Sequence, residues 1–196
     1  AHVDDPVSFR RSLMDLRGRC AKVIGADPDP AVLANPSLDE AVVMPSPEAV
    51  PLPDACVDLI LADHVLEHVA DPAAFAAECA RLLRPGGWLC ARTPNRWGLV
   101  ATASLAIPAR LHAAVLARAQ PHRRAEDVFP TCYRLNTRRA LARAFPERAW
   151  SHHVHGWNSE PAYAGRSALA WRAMQGLQAL LPPAMDATLH VFLRRL

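Results

Sequence analysis

The sequence predicts an α/β protein with a doubly wound, mostly parallel sheet and helices on both faces. Over residues 1–95, short apolar runs typical of strands alternate with amphipathic segments typical of helices, which is the order found in such sheets. Residues 56–63 form an almost continuous apolar run, as expected for a strand that is covered on both faces. Asp71 and Pro72 follow as an N-cap and first-turn pair, and they predict a helix that ends near Leu83.

The other elements of the first half follow the same alternation. A helix, a strand, a short helix and a second strand are predicted at residues 5–17, 20–27, 28–36 and 41–44. Asp5 and Pro6 are a good start for the first helix, and Gly18 ends it. Residues 45–54 contain too many prolines for regular structure and form a loop.

The second half begins after a fourth strand that follows the Gly86-Gly87 turn, and its pattern differs. Helices are predicted there at residues 136–145 and 166–181, and strands at residues 149–157 and 187–196. Alternation along the first of these strands places His153 and His155 on one face and His152 on the other. We interpret these histidines as structural or surface residues.

Size and composition indicate a single soluble domain of 196 residues, of which 51% are hydrophobic. The five cysteines include no CxxC pair, so neither a disulfide framework nor a zinc knuckle is predicted, and a reducing, cytoplasmic compartment is expected. A net charge of +3 is too small to indicate nucleic acid binding. The charge is uneven, with 14 acidic and 8 basic residues over 1–93 but 5 acidic and 14 basic residues over 94–196.

Acidic residues stand at or near the ends of the predicted strands, where open α/β sheets bind ligands. Asp27 and Asp63 close two strands, and Glu48 lies on the loop before the third. An acid that closes the second strand of a nucleotide fold can accept hydrogen bonds from a ribose diol. Asp27 can equally well cap the helix that follows it, and the spacing alone leaves both interpretations open.

A second group of polar residues, His64, Glu67 and His68, lies within one helical turn after the apolar strand. The order HVLEH is not the HExxH pattern of zinc proteases, and a metal site needs further ligands, so no metal is predicted. Glu67 and His68 are expected to pack or cap around the strand end. His68 can also face a substrate and exchange a proton with it.

Three stretches together resemble the class I S-adenosylmethionine-dependent methyltransferases, in particular their small-molecule group. They are the strand that ends in Asp27, the segment EAVPLPDACVDLILADHVLEHVADP and the segment LLRPGGWLCARTPN. The resemblance covers residues 20–95 and extends more loosely to YRLNTRRAL and LHVFLRRL. It implies a Rossmann-like sheet with strand order 3-2-1-4-5-7-6, an antiparallel last strand, and S-adenosyl-L-methionine as the cofactor.

The resemblance also implies roles for individual residues. Those implied to bind the cofactor are Asp27, Pro28, Ser46, Glu48, Ala62, Asp63 and His64. Asp27 would bind the ribose hydroxyls, and Ser46 stands where the family often has an acid for the adenine amino group. Ala62, Asp63 and His64 would line the methionine side of the pocket.

One family feature is missing from the sequence. The central first strand and its glycine-rich loop should precede the helix at 5–17, yet the chain contains no GxGxG. Three explanations stay open: a fragment cut after the loop, which the non-methionine start favours, a degenerate relative, or a sheet completed by another chain. Residues 1–196 then form a single incomplete domain, with residues 1–95 on the cofactor side and 96–196 on the acceptor side.

The expected activity is methyl transfer to a small-molecule or glycan-type acceptor, at oxygen, with His64 or His68 as the base. The acceptor pocket is expected in residues 97–133 and 157–163, whose arginines and aromatics suit a phosphate, carboxylate or sugar face or form a solvated cap. Residues 104–119 also suit peripheral contact with a membrane. The competing hypotheses are a non-catalytic partner protein and, third, a nicotinamide-dependent oxidoreductase. The oligomeric state is not predicted.

Overall fold

A computed structural model of the chain describes residues 8–46, 48–98, 101–102, 131–158 and 167–196. The helices in this part of the chain are α1 (Ser8–Met14), α2 (Pro72–Leu82), α3 (Arg138–Ala144) and α4 (Ala168–Leu180). The strands are β1 (Ile24–Asp27), β2 (Glu40–Val43), β3 (Val57–Asp63), β4 (Leu83–Pro94), β5 (Trp150–Trp157) and β6 (Thr188–Arg195). Short 3-10 helices occupy Pro30–Ala34, Leu66–His68 and Pro183–Met185.

The strands form two separate sheets. β1 pairs with β2 in parallel, and the other four strands follow the order β3-β4-β6-β5. Within the larger sheet β3 and β4 are parallel, whereas β6 runs antiparallel to both of its neighbours. The predicted α/β architecture, with a mostly parallel arrangement and an antiparallel last strand, is confirmed.

The two sheets are separated by a cavity of about 1120 Å³. Ile24 of β1 and Val57, Leu59 and Leu61 of β3 all line it. Among the described residues, β1 and β3 each have a partner strand on one side only. The cavity therefore lies where the resemblance implies a central strand, and it leaves Leu59 and Leu61 43% and 57% exposed.

The core of the larger sheet lies on one face, beneath α2 and α3. Leu89 on β4 and Val191 and Leu193 on β6 are fully buried there, with Phe145 directly after α3. Phe145 meets Trp150 edge to face, with ring centroids 5.1 Å apart. This cluster anchors β4, whose carboxyl end carries part of the candidate site.

The helix starts at Asp71 and Thr137 depend on short-range capping and agree with the prediction, whereas the start predicted at Asp5 and Pro6 lies outside the described residues. Asp71 accepts hydrogen bonds from the backbone N–H groups of Ala73 and Ala74, at 2.9 and 3.1 Å. Thr137 caps α3 in the same way through the N–H of Ala140. The expected alternation on β5 is also present, since His153 and His155 are exposed and His152 is half buried, its Nε2 2.6 Å from the Phe145 carbonyl.

One strand is shorter than predicted. Residues 20–27 were expected to be extended as a strand, but β1 begins only at Ile24. Its partner β2 has four residues, so the ladder can contain no more than four pairs. Before the ladder, the Val23 N–H donates to the carboxylate of Asp39 instead of to a neighbouring strand.

Two expectations fall partly outside the described residues. Of the candidate acceptor segments, residues 99–100, 103–130 and 159–163 lie outside the described residues, as does the whole of the expected membrane contact at 104–119. In the described ranges, no helix combines the length and the apolar character that a membrane crossing requires.

Candidate active site at the carboxyl edge of the sheet

The parallel strands β3 and β4 end side by side, with Asp63 opposite Arg92 in the register. His64 follows directly and turns the chain with φ at 55°, in the left-handed region that side chains larger than glycine rarely occupy. Its N–H donates to the Arg92 carbonyl at 2.8 Å, which holds this turn against β4. Backbone conformations of this kind concentrate at functional sites, and the position of His64 makes it the first candidate.

The imidazole of His64 is held by a buried carboxylate. Its Nδ1 lies 2.9 Å from Oε1 of Glu67, in the 3-10 helix that begins two residues later. Glu67 is only 4% exposed, whereas about half of the His64 side chain is exposed. One end of the imidazole is therefore fixed inside the protein while the ring remains accessible from outside.

Glu67 is in turn supported by two buried polar side chains from distant parts of the chain. The Thr93 hydroxyl, near the end of β4, donates to Oε2 of Glu67 at 2.8 Å. Nδ2 of Asn136 donates to Thr93 Oγ1 at 2.7 Å and to the Pro94 carbonyl at 2.8 Å. We call His64, Glu67, Thr93 and Asn136 the carboxylate network.

The carboxylate network changes the acidity of its two titratable members. The hydrogen bond with Glu67 raises the pKa of His64 above its ordinary value, although partial burial acts in the opposite direction. Burial alone would raise the pKa of the Glu67 carboxyl, but its hydrogen bonds with His64 and Thr93 hold that pKa below the usual range. The two pKa values shift in opposite directions, and both shifts favour the charged forms, as expected for a pair of a histidine and a carboxylate.

The second candidate histidine, His68, lies in the same 3-10 helix directly after Glu67 and is half buried. The described residues contain no group of three or more His, Cys, Asp or Glu side chains arranged to hold a metal ion. We expected Glu67 to pack or cap at the strand end. It packs there, and it also binds His64.

The carboxylate of Asp63 is paired with an arginine of the neighbouring strand. Both of its carboxylate oxygens accept hydrogen bonds from Arg92, at 2.7 and 2.8 Å. This bidentate pair lies at the solvent-exposed edge, next to the buried Ala62. Since its carboxylate is already engaged, Asp63 has less capacity than Asp27 to bind a further ligand.

Asp27 closes β1, as predicted, and its side chain is exposed to solvent. Its Oδ1 accepts the N–H of Asp29 at 2.8 Å, across the exposed Pro28. Asp29, and not Asp27, is the N-cap of the 3-10 helix Pro30–Ala34. Asp27 thus organises the loop with one oxygen and presents its carboxylate at the carboxyl end of β1.

Ser46 and Glu48 lie on the loop after β2 and are both half buried. Ser46 forms an isolated bridge with Ala49, whose N–H donates to the Ser46 carbonyl at 3.1 Å. The N–H of Met44 donates to the Asp27 carbonyl at 3.0 Å, so this loop begins beside the end of β1. The predicted cofactor residues therefore form one group near Asp27 and another at the end of β3.

The second half of the chain contacts the turn that carries Glu67. The backbone N–H groups of Cys132 and Tyr133 both donate to the Glu67 carbonyl, at 2.7 and 3.1 Å. Arg134 donates from its guanidinium to the Ala70 carbonyl at 2.7 Å. Two predicted acceptor-side residues, Tyr133 and Arg134, are thus fixed close to the carboxylate network.

Three polar residues of this edge were absent from the predicted site: Arg92, Thr93 and Asn136. Arg92 and Thr93 lie within the quoted LLRPGGWLCARTPN segment, at the end of a strand parallel to β3. The rule that parallel strands present their carboxyl ends together was therefore a usable signal for these two residues. Asn136 offered none, because it lies 43 positions from Thr93.

The first half of the chain is similar to known proteins. The family model described as "Methyltransferase domain" matches residues 8–91, which include α1 to the middle of β4. A "probable S-adenosylmethionine-dependent methyltransferase" of Mycolicibacterium smegmatis is 42% identical over 80 residues, or 38% of this chain and 30% of that protein. A "ubiquinone biosynthesis O-methyltransferase" of Nitrobacter winogradskyi is 39% identical over 82 residues, or 39% of this chain and 31% of that protein.

Solved structures extend the similarity beyond the matched segment. A SAM-dependent methyltransferase of Thermotoga maritima aligns with a TM-score of 0.57 at 15% identity, covering 88% of this chain and 72% of that one. One from Mesorhizobium loti aligns with a TM-score of 0.50 at 19% identity, covering 96% and 86%. Over residues 8–91 this chain is similar to S-adenosylmethionine-dependent methyltransferases, and the solved structures share its fold over most of its length. The predicted resemblance and the Rossmann-like fold are confirmed.

The chain matches only about a third of the length of the two relatives named above. Residues 8–91, which the family model matches, contain β1 with Asp27, β3 with Ala62 to His64, and the turn that carries Glu67. Asn136, which supports Glu67 through Thr93, lies outside the family match.

Proposed function

We propose that this protein transfers a methyl group from S-adenosyl-L-methionine to an oxygen atom of a small-molecule or glycan-type acceptor. The observation that carries the proposal is the contact between His64 and the buried Glu67 at the carboxyl edge of the sheet. A neutral imidazole at this edge is suited to accept a proton from a hydroxyl group. The similarity to ubiquinone biosynthesis O-methyltransferases supports oxygen as the methylated atom.

The residues at the strand ends fit the proposed cofactor. Asp27 offers an exposed carboxylate at the end of β1, which suits the two hydroxyls of a ribose. Ala62 is small and buried in the core at the end of β3, directly before Asp63 and His64. Pro28, Ser46 and Glu48 complete the proposed cofactor side, and Asp63 contributes through its position next to His64 rather than through a vacant carboxylate.

Bound S-adenosyl-L-methionine supplies an electrophilic methyl group, and the protein has to position the acceptor and remove its proton. His64 Nε2 accepts the proton of the acceptor hydroxyl, whose oxygen becomes the nucleophile. The carboxylate of Glu67 then stabilises the imidazolium that results. Positioning of the two reactants can contribute several kcal/mol, of order 7–11 kcal/mol in well-oriented model reactions.

A second candidate function is a non-catalytic partner protein that has kept the fold but not cofactor binding. The separation of β1 from β3 by a cavity of about 1120 Å³ favours it, because the cofactor-side residues then belong to two unconnected sheets. For this reason we expect the 196-residue chain alone to bind the cofactor weakly.

The test combines binding and transfer on the full 196-residue chain. Titration with S-adenosylmethionine and with S-adenosylhomocysteine, followed by amide NMR, is expected to shift Asp27 and His64 signals at millimolar ligand. Methyl-labelled cofactor with a dihydroxybenzene, a monosaccharide and a primary amine as acceptor probes is expected to label the hydroxyl compounds. Labelling of the amine alone would overturn the oxygen assignment. A folded chain with no shifts at millimolar ligand would favour the partner protein.

A further inference from the structure

The donors and acceptors of the carboxylate network determine which of its atoms carry protons. The side chain of Asn136 is fully buried. Its Nδ2 lies 2.8 Å from the Pro94 carbonyl oxygen, which can only accept a hydrogen bond. A flipped amide would bring two acceptor oxygens together at that distance. The orientation with Nδ2 towards Pro94 and Thr93 is therefore required, even though Oδ1 is buried without a hydrogen-bond partner among the described residues.

The proton of Thr93 follows from this orientation. Thr93 Oγ1 accepts the second N–H of Asn136 at 2.7 Å, so its single hydroxyl proton is available for another partner. That partner is Oε2 of Glu67 at 2.8 Å. Thr93 is completely buried, which excludes competition from solvent for the hydroxyl proton.

Glu67 then has to be the acceptor at both of its oxygens. Oε2 receives the Thr93 proton, and Oε1 faces Nδ1 of His64 at 2.9 Å. The lowered pKa of Glu67 keeps this carboxylate ionised at neutral pH, so Nδ1 of His64 is the atom that carries a proton. The remaining nitrogen, Nε2, is left to gain and lose a proton.

We infer that Glu67 is a positioning residue that holds His64 as the Nδ1–H tautomer with Nε2 as its proton acceptor, and that Thr93 and Asn136 hold Glu67 in place. As a property of the folded chain this inference stands alone; its catalytic meaning rests on the proposed function. It assigns an indirect role in methyl transfer to Asn136, which lies outside the family match.

Other charges near His64 do not account for this arrangement. Asp63 and Arg92 are the further charged groups that act on its pKa, the first raising and the second lowering it. They are joined to each other in a bidentate pair, so their effects on His64 largely oppose one another. Among the described residues, it is the hydrogen bond with Glu67 that distinguishes the two ring nitrogens.

The test is long-range proton–nitrogen NMR of the imidazole side chains in the full 196-residue chain, recorded as a function of pH without cofactor or acceptor. The wild type is expected to show His64 as the Nδ1–H tautomer above its pKa, with that pKa elevated. Glu67→Gln is expected to lower the pKa of His64 and to mix the tautomers. Asp63→Asn is the matched control, because it also removes one nearby carboxylate charge, and it should leave the tautomer unchanged.

A milder pair of variants covers the case in which Glu67→Gln does not fold. Thr93→Val removes the hydroxyl with little change of shape and is expected to lower the His64 pKa, whereas Thr93→Ser keeps the hydroxyl and should restore it. An Nε2–H tautomer in the wild type, or an unchanged His64 in both Glu67→Gln and Thr93→Val, would overturn the inference. Since no methyl donor is present, these outcomes are independent of whether the protein methylates anything.

Discussion

Oε1 of Glu67 lies 2.9 Å from Nδ1 of His64, and the glutamate is buried while the histidine reaches solvent. This relationship predicts the pH dependence of methyl transfer. His64 must be neutral to accept a proton, so activity falls as the pH drops through its raised pKa. Glu67→Gln removes the cause of that elevation, and the acid limb of the kcat profile is expected to move to lower pH with a reduced maximum. If the acid limb of Glu67→Gln stays at the wild-type pH, Glu67 does not control the pKa of the residue that accepts the proton.

The same pair predicts how stability depends on pH. The lowered pKa of Glu67 contributes stability that is present above its unfolded value and is lost as the pH falls through the folded value. The raised pKa of His64 contributes stability below its unfolded value, which is lost as the pH rises through the folded value. The pair therefore stabilises most in the weakly acidic range between these limits.

Glu67→Gln is expected to cost about 1.5–3 kcal/mol in that range, the usual size for losing a hydrogen bond to a charged group. Urea unfolding of both proteins across a pH series measures the difference. The difference should shrink towards strongly acidic and alkaline pH. A cost that is the same at every pH would point to altered packing rather than to the charged pair.

Asp27→Asn is expected to weaken binding of S-adenosylmethionine by about tenfold or more, equivalent to about 1.4 kcal/mol. The amide oxygen can still accept the N–H of Asp29, so the loop is preserved while the charge and one acceptor are lost. Asp29→Asn is the matched control, since asparagine caps helices as well as aspartate does. Calorimetry or amide NMR measures both, and equal effects of the two variants would remove Asp27 from the cofactor site.

Asp63→Asn should affect cofactor binding much less than Asp27→Asn. Its carboxylate is already paired with Arg92, and the pair is exposed. The loss of this pair is expected to change the free energy of unfolding by about 1 kcal/mol or less. A reduction in affinity as large as that of Asp27→Asn would show that Asp63 exchanges Arg92 for the ligand.

The open edge of β3 predicts self-association of the isolated chain. Leu59 and Leu61 are exposed beside the cavity, on a strand that has a partner on one side only in the described part of the chain. Leu61→Lys is expected to reduce concentration-dependent association in analytical ultracentrifugation. Leu169→Lys, at an 80% exposed position on α4, is the matched control and should change it little. If Leu61→Lys and Leu169→Lys change the association equally, the edge of β3 is not the contact between associating chains.

Much of the fold was predictable because its determinants are local. Asp71 and Thr137 begin their helices as expected, since a cap depends on residues only two or three positions away. The apolar run of β3 correctly predicted a strand in a parallel pair, but not one covered on both faces, because Leu59 and Leu61 are exposed at an edge that has no neighbouring strand among the described residues. The exact extent of β1 was not predictable, because it depends on how many residues β2 offers as partners.

The candidate site was predictable only in part. His64 and Asp27 were located from their positions at strand ends, and the structure leaves both accessible. The hydrogen-bond partners of Asp63 and Glu67 were not predictable, because Arg92 and Thr93 lie 29 and 26 positions away. Local spacing does not report which of several nearby carboxylates finds a hydrogen-bond donor.

The sequence by itself determined the alternation of strands and helices and the capped helix starts. These features depend on hydrogen bonds and apolar periodicity within a few residues. Only the tertiary structure decided that Arg92 engages Asp63, that Thr93 and Asn136 support Glu67, and that His64 is therefore held at Nδ1. The physical reason is that burial and side-chain pairing arise only when folding brings distant strand ends to one edge of the sheet.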